Sequence, residues 1–453
     1  MLWKKEEETR ARLVARGFEE DTEVPSDSPT VDKANLRVIL TVAASEGWII
    51  ETSDVKSAFL QGKMLDRKVT IIPPKEAGVP KGKLWQLQVA LYGLDDASLQ
   101  FFLKCKEVLL KLGCVQSTFD PAMFMKYDSD SRLIGIIATH VDDFIHAGNE
   151  AFRNNVTKKL AEIFKMGKTE SRKFKYVGYE VEQFKGGIKI SQREYADKVE
   201  IPEMNPARLK FQEDELTPEE KSLIRQLAGQ IGWLARETRP DLSFAQVEMS
   251  TKFGKGKVKD LVRAVKTMSR VKQNDSLLMI SALGPVEDWN VEVSTDASLS
   301  NLNDGVHSTG AYMILIKNQT GKCAPISWRS GKIRRIVDST LECECLALVD
   351  GLKQAVYVRE IIEEIFNRDA KSVPVKAIVD NKSTVQAIHS TAPVEDKKLR
   401  RDISIIKQML NEKEISSVSW CPGKDQLADC MTKRTAPTFN LMSVFQSGRR
   451  EEQ

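Results

Sequence analysis

Apolar positions recur with two different periods along this chain, and the change of period marks its elements. Segment 10–18 reads as a short strand, with Arg10 and Arg12 beside the apolar Leu13 and Val14. Residues 32–46 follow helical spacing and stop at Gly47. WIIETSDV alternates as a strand should, and 73–82 is a loop by its Pro, Gly and Lys content. SLQFFLKCKEVLLKLG is an amphipathic helix closed by Gly113, a residue suited to the left-handed turn after a helix. LIGIIATHVDDFIHAGN predicts two strands around a tight acidic turn. EAFRNNVTKKLAEIFKM places Phe152, Val156, Leu160 and Phe164 on one helix face.

Prolines 202, 206 and 218 mark a polar linker, and EEKSLIRQLAGQIGWLARE and VKDLVRAVKTMSRV read as helices. From Leu277 the texture changes to the strands LLMISAL, VEVSTDAS, GAYMILIKN and KCAPISWRSGK. A long helix with Thr340 as its cap follows, striped by Leu341, Cys345, Leu348, Leu352 and Val356. Strand VKAIVDNKS, helix KKLRRDISIIKQMLNE and strand ISSVSWCPG complete an α/β domain of about 150 residues.

Length and composition narrow the picture. At roughly 100–200 residues per domain, 453 residues suggest two to four domains. With 41% hydrophobic and 29% charged residues, neither a disordered tail nor a fibre fits. A net charge of +4 excludes a histone-like polyanion coat, so nucleic-acid contact must come from local clusters. The seven cysteines form no C-x-x-C pair, which argues against a zinc ribbon or finger and for reduced thiols. The charged N-terminus lacks the apolar core of a signal peptide, and no apolar run has the length of a membrane span. Together these predict a cytoplasmic or nuclear protein that is not secreted.

Three constellations carry chemistry. Asp54 ends one strand, while Asp142 and Asp143 lie in a predicted hairpin turn. Carboxylates converging from strand ends suit Mg²⁺, although spacing alone favours an ordinary acidic turn. Asp296 and Asp380 end strands, Glu344 lies in the first turns of the long helix, and Asp429 adjoins a short helical stretch. Such a set suits two-metal phosphodiester cleavage, and strand-end loop acids with a dipole-favoured helix acid are the bland counterpart. Arg10 and Arg12 share a strand face by their spacing and could hold a triphosphate; a solvated edge strand fits equally. The run KFGKGKVKDLVRAVKTMSRVK, with Asp260 its single acid, could track a phosphate backbone or form a solvated basic helix.

The order of motifs adds more than any one of them. RARLVARGF, DVKSAFLQG, VTIIPP, LYGLDDAS, HVDDFIHAGN, FKYVGYEV, GIKISQREYADKV and RQLAGQIGWLARETRPDLSFA are followed by STDAS, STLECECLAL, VDNKS and QLADCMTK. Across nearly its whole length the chain resembles the reverse transcriptase–ribonuclease H region of copia-type LTR retrotransposon Pol polyproteins, truncated at the N-terminus. The resemblance implies an α+β polymerase palm and fingers in the right-hand reverse transcriptase fold. A helical connection and an α/β ribonuclease H-like domain would follow. The expected boundaries are 1–200 for fingers and palm, 201–275 for thumb or connection, 276–436 for the ribonuclease H-like domain, and 437–453 for a disordered tail.

The implied function is RNA-directed DNA polymerase with ribonuclease H activity; the alternative is a catalytically dead nucleic-acid-binding remnant. Asp54, Asp142 and Asp143 would be catalytic metal ligands of the polymerase, and Asp296, Glu344, Asp380 and Asp429 those of the ribonuclease. Glu344 is preferred to Glu342 because it directly precedes Cys-Leu-Ala-Leu. Two Mg²⁺ per site are implied, with Mn²⁺ as substitute. Phe59 would lie under the incoming sugar and exclude a 2′-hydroxyl, while Arg10 and Arg12 would lie near the triphosphate. The implied partners are RNA template, DNA primer, RNA–DNA hybrid, deoxynucleoside triphosphates and other element-encoded proteins, and no membrane. The chain departs from the family pattern at Asp95-Asp96, where Lys-Gln is frequent, and at His140, where Tyr is usual. Acids at 95 and 96 are expected to repel phosphate or bind metal.

Overall fold

The computed structural model describes residues 2–5, 8–20, 24–274, 277–302, 305–392 and 394–450, with backbone alone for residues 2–5 and 8–10. The chain divides into two units, Met1–Asp32 with Ile49–Ser171, and Lys33–Trp48 with Arg172–Gln453.

The first unit is built on a six-stranded antiparallel sheet. Its order is Met166–Ser171, Ile50–Val55, Asp143–Gly148, Leu133–His140, Met123–Tyr127 and Val115–Gln116. The apolar residues of Ala97–Lys111 and of the helical run from Glu150 to Ile163 bury one face around Phe101, Leu109, Phe124, Ile137 and Phe144. Phe152, Val156, Leu160 and Phe164 all reach this core. A four-residue step overshoots an α-helical turn of 3.6 residues, so four such positions would drift around the helix. A π turn at Arg153–Thr157 is wider and absorbs the drift. Met64–Ile71 and Trp85–Val89 form a separate hairpin. The strand expected over 10–18 is displaced: Glu8–Ala11 pairs with Leu2–Lys5, and a 3-10 turn covers Gly17–Glu19. Arg12 therefore lies beyond the strand and does not share a strand face with Arg10.

In the second unit, Lys173–Tyr176, Tyr179–Phe184, Gly187–Ser191 and Leu277–Ser281 form an antiparallel meander. The strand LLMIS thus belongs to this sheet and not to the α/β sheet that follows, because Leu278 and Ile280 pair with Ile190 and Ile188 and are fully buried there. Helices Pro218–Glu237, Ser243–Ser250 and Val258–Gln273 pack around Leu227, Ile231, Leu261 and Met268. A reciprocal Thr217–Glu220 cap starts the first of them. Helix Lys33–Ser45 also belongs to this unit, where Arg37 stacks at 4.0 Å on Trp328 and donates to the Ile326 carbonyl at 3.0 Å.

The α/β sheet has the order Cys323–Lys332, Thr309–Lys317, Asn290–Ser298, Val375–Val379, Ser417–Trp420. The first three strands are antiparallel, and the last two run parallel to Asn290–Ser298. This is a ribonuclease H-like layout. The long helix Thr340–Ile365 is capped by Ser339 rather than Thr340, the Ser339 hydroxyl accepting from the Glu342 amide. It lies close on the sheet at Gly351, where a Cβ would stand 2.6 Å from Thr295 and 3.0 Å from Val293.

The expectation of disorder over 437–453 is overturned. Phe439–Ser447 is a helix with Leu441, Val444 and Phe445 buried, and Gly448 closes it in the left-handed conformation. Phe445 packs edge-on against Trp328 at 5.0 Å. Beyond it, the Gly448 carbonyl accepts from the Cys323 amide and the Ser281 hydroxyl, each at 2.8 Å, and Arg450 pairs with buried Glu292. A short apolar stripe at i, i+3 and i+4 was enough to dock the segment. Residues 451–453 lie outside the described residues.

Candidate active sites

The palm acids are placed by the central hairpin. His140 pairs with Asp143 across a turn made by Val141 and Asp142. Val141 has φ of 58°, a left-handed conformation that costs a β-branched residue about 1–3 kcal/mol. Asp143 stands directly opposite Asp54 in the ladder, and the Asp142 carbonyl accepts from the Val55 amide at 3.1 Å. Three acids thus lie at one end of two neighbouring interior strands, at the rim of the sheet. Burial, then the charges of Asp142 and Asp54, push Asp143 up to about 6. Burial and Asp142 also raise Asp54, against the pull of Lys56. Burial lowers His140.

Two residues that sequence reasoning missed shape this edge. The strand Met166–Ser171 carries an extra residue opposite Asp54, between the pairs Met166–Val55 and Thr169–Ser53. Gly167 sits in that bulge, and a Cβ there would stand 2.1 Å from Asp54 Oδ2. Bulges are frequent beside active sites, and an isolated Gly in a strand pattern was the available signal. Tyr92, inside LYGLDDAS, packs on Phe59 at 4.6 Å between ring centroids and carries the Arg12 guanidinium over its ring at 4.6 Å. Burial raises its hydroxyl, with Arg12 opposing and Asp142 and Asp54 adding. Phe59 and Arg12 therefore join the acids through Tyr92. The side chain of Arg10 lies outside the described residues.

Asp96 does not act as an open phosphate-repelling acid. It is buried, and Arg67 grips its two carboxylate oxygens at 2.6 and 3.0 Å while also binding Glu20. Burial alone would raise its carboxyl; the bonds from Arg67 and Gln100 outweigh that and lower it. Asp95 is exposed.

The second acidic set is tighter. Asp296, Asp380 and Asp429 each bring a carboxylate oxygen within 4.8 Å of the others. No group of three acids elsewhere among the described residues gathers so closely, the palm acids included. Asp296 lies inside Asn290–Ser298, two residues before the end that the sequence placed at Asp296 itself; Asp380 directly follows the neighbouring parallel strand Val375–Val379, and Asp429 opens a 3-10 turn. The Asp296 carboxyl is raised to about 6, mainly by burial, with Lys433 and Thr432 opposing. Glu344 is pushed up to about 9 by burial and then by the charges of Asp296 and Asp380. Its Oε2 is buried without a hydrogen-bond partner. Glu342 faces elsewhere, paired with Arg335 at 2.9 Å. An orphaned carboxylate oxygen beside three converging oxygens is the donor set a divalent cation requires. Trp420, also missed, holds the Asp380 carbonyl at 2.9 Å through its indole N–H.

Residues 3–208 match the family model "Reverse transcriptase (RNA-dependent DNA polymerase)". The Retrovirus-related Pol polyprotein from transposon RE1 of Arabidopsis thaliana is 25% identical over 95% of this chain and 30% of its own length. Over most of its length the chain is thus similar to retrovirus-related Pol polyproteins of transposons. The Pol polyprotein from transposon TNT 1-94 of Nicotiana tabacum is 25% identical over 79% of this chain and 28% of its own. The chain thus spans less than a third of these curated relatives. The N-terminal RNase H domain of Rv2228c from Mycobacterium tuberculosis aligns at 15% identity and a TM-score of 0.24, over 34% of this chain and 98% of its own. The ribonuclease H-like assignment rests on the strand order and not on that likeness. Among the described residues, no helix is long and apolar enough to cross a membrane.

Proposed function

We propose that this copia-type Pol relative is an RNA-directed DNA polymerase with a ribonuclease that cuts the RNA of an RNA–DNA hybrid. The observation that carries the reading is the convergence of Asp296, Asp380 and Asp429 within 4.8 Å beside the unbonded Glu344 oxygen, in a chain with a reverse transcriptase segment. Asp54, Asp142 and Asp143 would hold the metal of the polymerase site, and Asp296, Glu344, Asp380 and Asp429 that of the ribonuclease site. Two Mg²⁺ or Mn²⁺ ions, when bound, supply Lewis-acid stabilisation of the attacking and leaving oxygens.

The rest falls to the chain's own groups. The central hairpin carries two of the palm acids, Asp142 in its turn and Asp143 in its ladder. Phe59, braced by Tyr92, would press against the sugar of the incoming nucleotide and leave no room for a 2′-hydroxyl. Arg12, with Arg10 by the resemblance, would meet the triphosphate, a role suited to guanidinium. Around Asp296 and Glu344, burial strengthens every charge interaction by lowering the local dielectric. The expected partners are an RNA or DNA template, a DNA primer and deoxynucleoside triphosphates.

Primer extension on a poly(rA) template with Mg²⁺, comparing the full chain with Asp142→Asn, tests the polymerase. Hybrid cleavage with Asp142→Asn and Asp380→Asn tests the ribonuclease. Extension should vanish in Asp142→Asn while cleavage survives there and vanishes in Asp380→Asn. No extension by either protein and no cleavage by any would overturn the reading in favour of a non-catalytic nucleic-acid-binding remnant.

A further inference from the structure

The acid cluster of the second unit contains a cation that the chain itself provides. Lys433 Nζ lies 3.2 Å from Asp296 Oδ1 and donates a hydrogen bond to Asp429 Oδ1. Those carboxylates are two of the three whose oxygens gather within 4.8 Å. Burial raises the carboxyls of Asp380 and Glu344, and the charge of Lys433 opposes that rise. The position follows from the local fold. Asp429–Met431 is a single 3-10 turn, and the Lys433 amide bonds back to the Asp429 carbonyl at 3.1 Å. That brings the side chain at i+4 over the acid at i. Thr432 makes a separate hydroxyl bond to Asp296 Oδ2, so Asp296 is held even without the ammonium.

Lys433 also has somewhere else to go. Its side chain is 39% exposed and lines a cleft of about 1190 Å³, bordered by Arg263, Lys266, Arg270 and Pro437. The two acids of the cleft are already paired, Asp241 with Arg239 and Glu248 with Arg263 and Arg434, so the route open to the ammonium is solvent.

We propose that Lys433 is a built-in, displaceable counter-cation of this cluster. It neutralises the carboxylates in the metal-free chain and competes with a divalent ion for their oxygens. An ammonium has three donors and no acceptor, so each bond it makes occupies an oxygen that a hard cation would need. Both cannot bind the same oxygens, and side by side they repel. On metal entry the ammonium gives up the carboxylate oxygens and turns to solvent, to which its side chain is already 39% exposed. The proposal rests on the reading of this cluster as a metal site.

Calorimetric titration of the full-length chain with MnCl₂ tests it, with Asp380→Asn marking which binding belongs to this cluster. Thermal melts in EDTA and in saturating MnCl₂ run in parallel. Lys433→Gln should bind Mn²⁺ at the Asp380-dependent site about tenfold more tightly or better, a change of one decade in Kd. It should melt lower than the natural chain in EDTA and recover more on adding Mn²⁺. Lys433→Arg, which keeps the charge, should stay near the natural affinity. Equal or weaker Mn²⁺ affinity in Lys433→Gln, at a site that Asp380→Asn still abolishes, overturns the counter-cation and leaves the metal reading standing. Absence of any Asp380-dependent binding in all variants overturns the metal reading, and the competition with it.

Discussion

A glycine decides where the Asp54 carboxylate can lie. Gly167 occupies the bulge opposite Asp54, and a Cβ would stand 2.1 Å from Oδ2. The backbone there needs no positive φ, so the constraint is space and not conformation. Gly167→Ala should therefore leave the fold intact and turn the carboxylate away. Primer extension is expected to fall about a hundredfold, the scale of a misplacement near 1 Å, with a thermal midpoint close to that of the natural chain. Retained extension at the natural rate would show that Asp54 tolerates the crowding. Asp54 was legible as a strand-end acid. Gly167 was not, because a single glycine in an alternating stretch gives no sign of what it faces. Asp96 makes the converse point. Its charge looked hostile to a nucleotide until Arg67, 29 positions earlier, proved to bind it.

Elements were more legible than their partners. The central hairpin, the helices Ala97–Lys111 and Thr340–Ile365, and the strands of the α/β sheet lie where hydrophobic period and turn residues place them. The strand Leu277–Ser281 has the right type and joins another sheet, because alternation identifies a strand without naming its neighbour. The C-terminal helix was missed altogether: Phe439, Leu441, Met442, Val444 and Phe445 make the segment apolar, but nine residues are too short for a helical period to stand out. Its docking is testable at Phe445, fully buried against Trp328. Phe445→Ala should cost about 3–5 kcal/mol, as large core aromatics do. Differential scanning calorimetry should show a lowered transition of the second unit. An unchanged transition would mean that the segment contributes no packing.

At the scale of the whole molecule, two units each gather acids against electrostatic resistance. In the second, Glu344 has a folded-state carboxyl raised from 4.5 to about 9, by burial first and neighbouring acids second. A group raised on folding binds its proton more tightly in the native chain. The stability it contributes is complete below the unfolded value and lost as pH rises through the folded one. In EDTA the thermal midpoint should thus decline between about pH 4.5 and pH 9, and Glu344→Gln should flatten that slope. Saturating Mg²⁺ should flatten it too, because a bound cation favours the ionised carboxylates. An identical slope for Glu344→Gln in EDTA would remove this group from the account.

The sequence by itself determined most kinds of element and their order, and singled out the acids near strand ends and on the long helix. Those features are local: hydrophobic period, turn chemistry and helix capping act over a few residues. Tertiary structure alone decided which of them meet. Thr432 reaches Asp296 across 136 positions and Lys433 across 137, and no short-range pattern encodes either contact. Helix Lys33–Ser45, early in the chain, packs in the unit that holds the last residues. The closing segment became structure because Trp328 and Glu292 offered an apolar ring and a buried charge to satisfy. Burial and desolvation depend on what the rest of the chain covers, and so does the choice of which acids share a site.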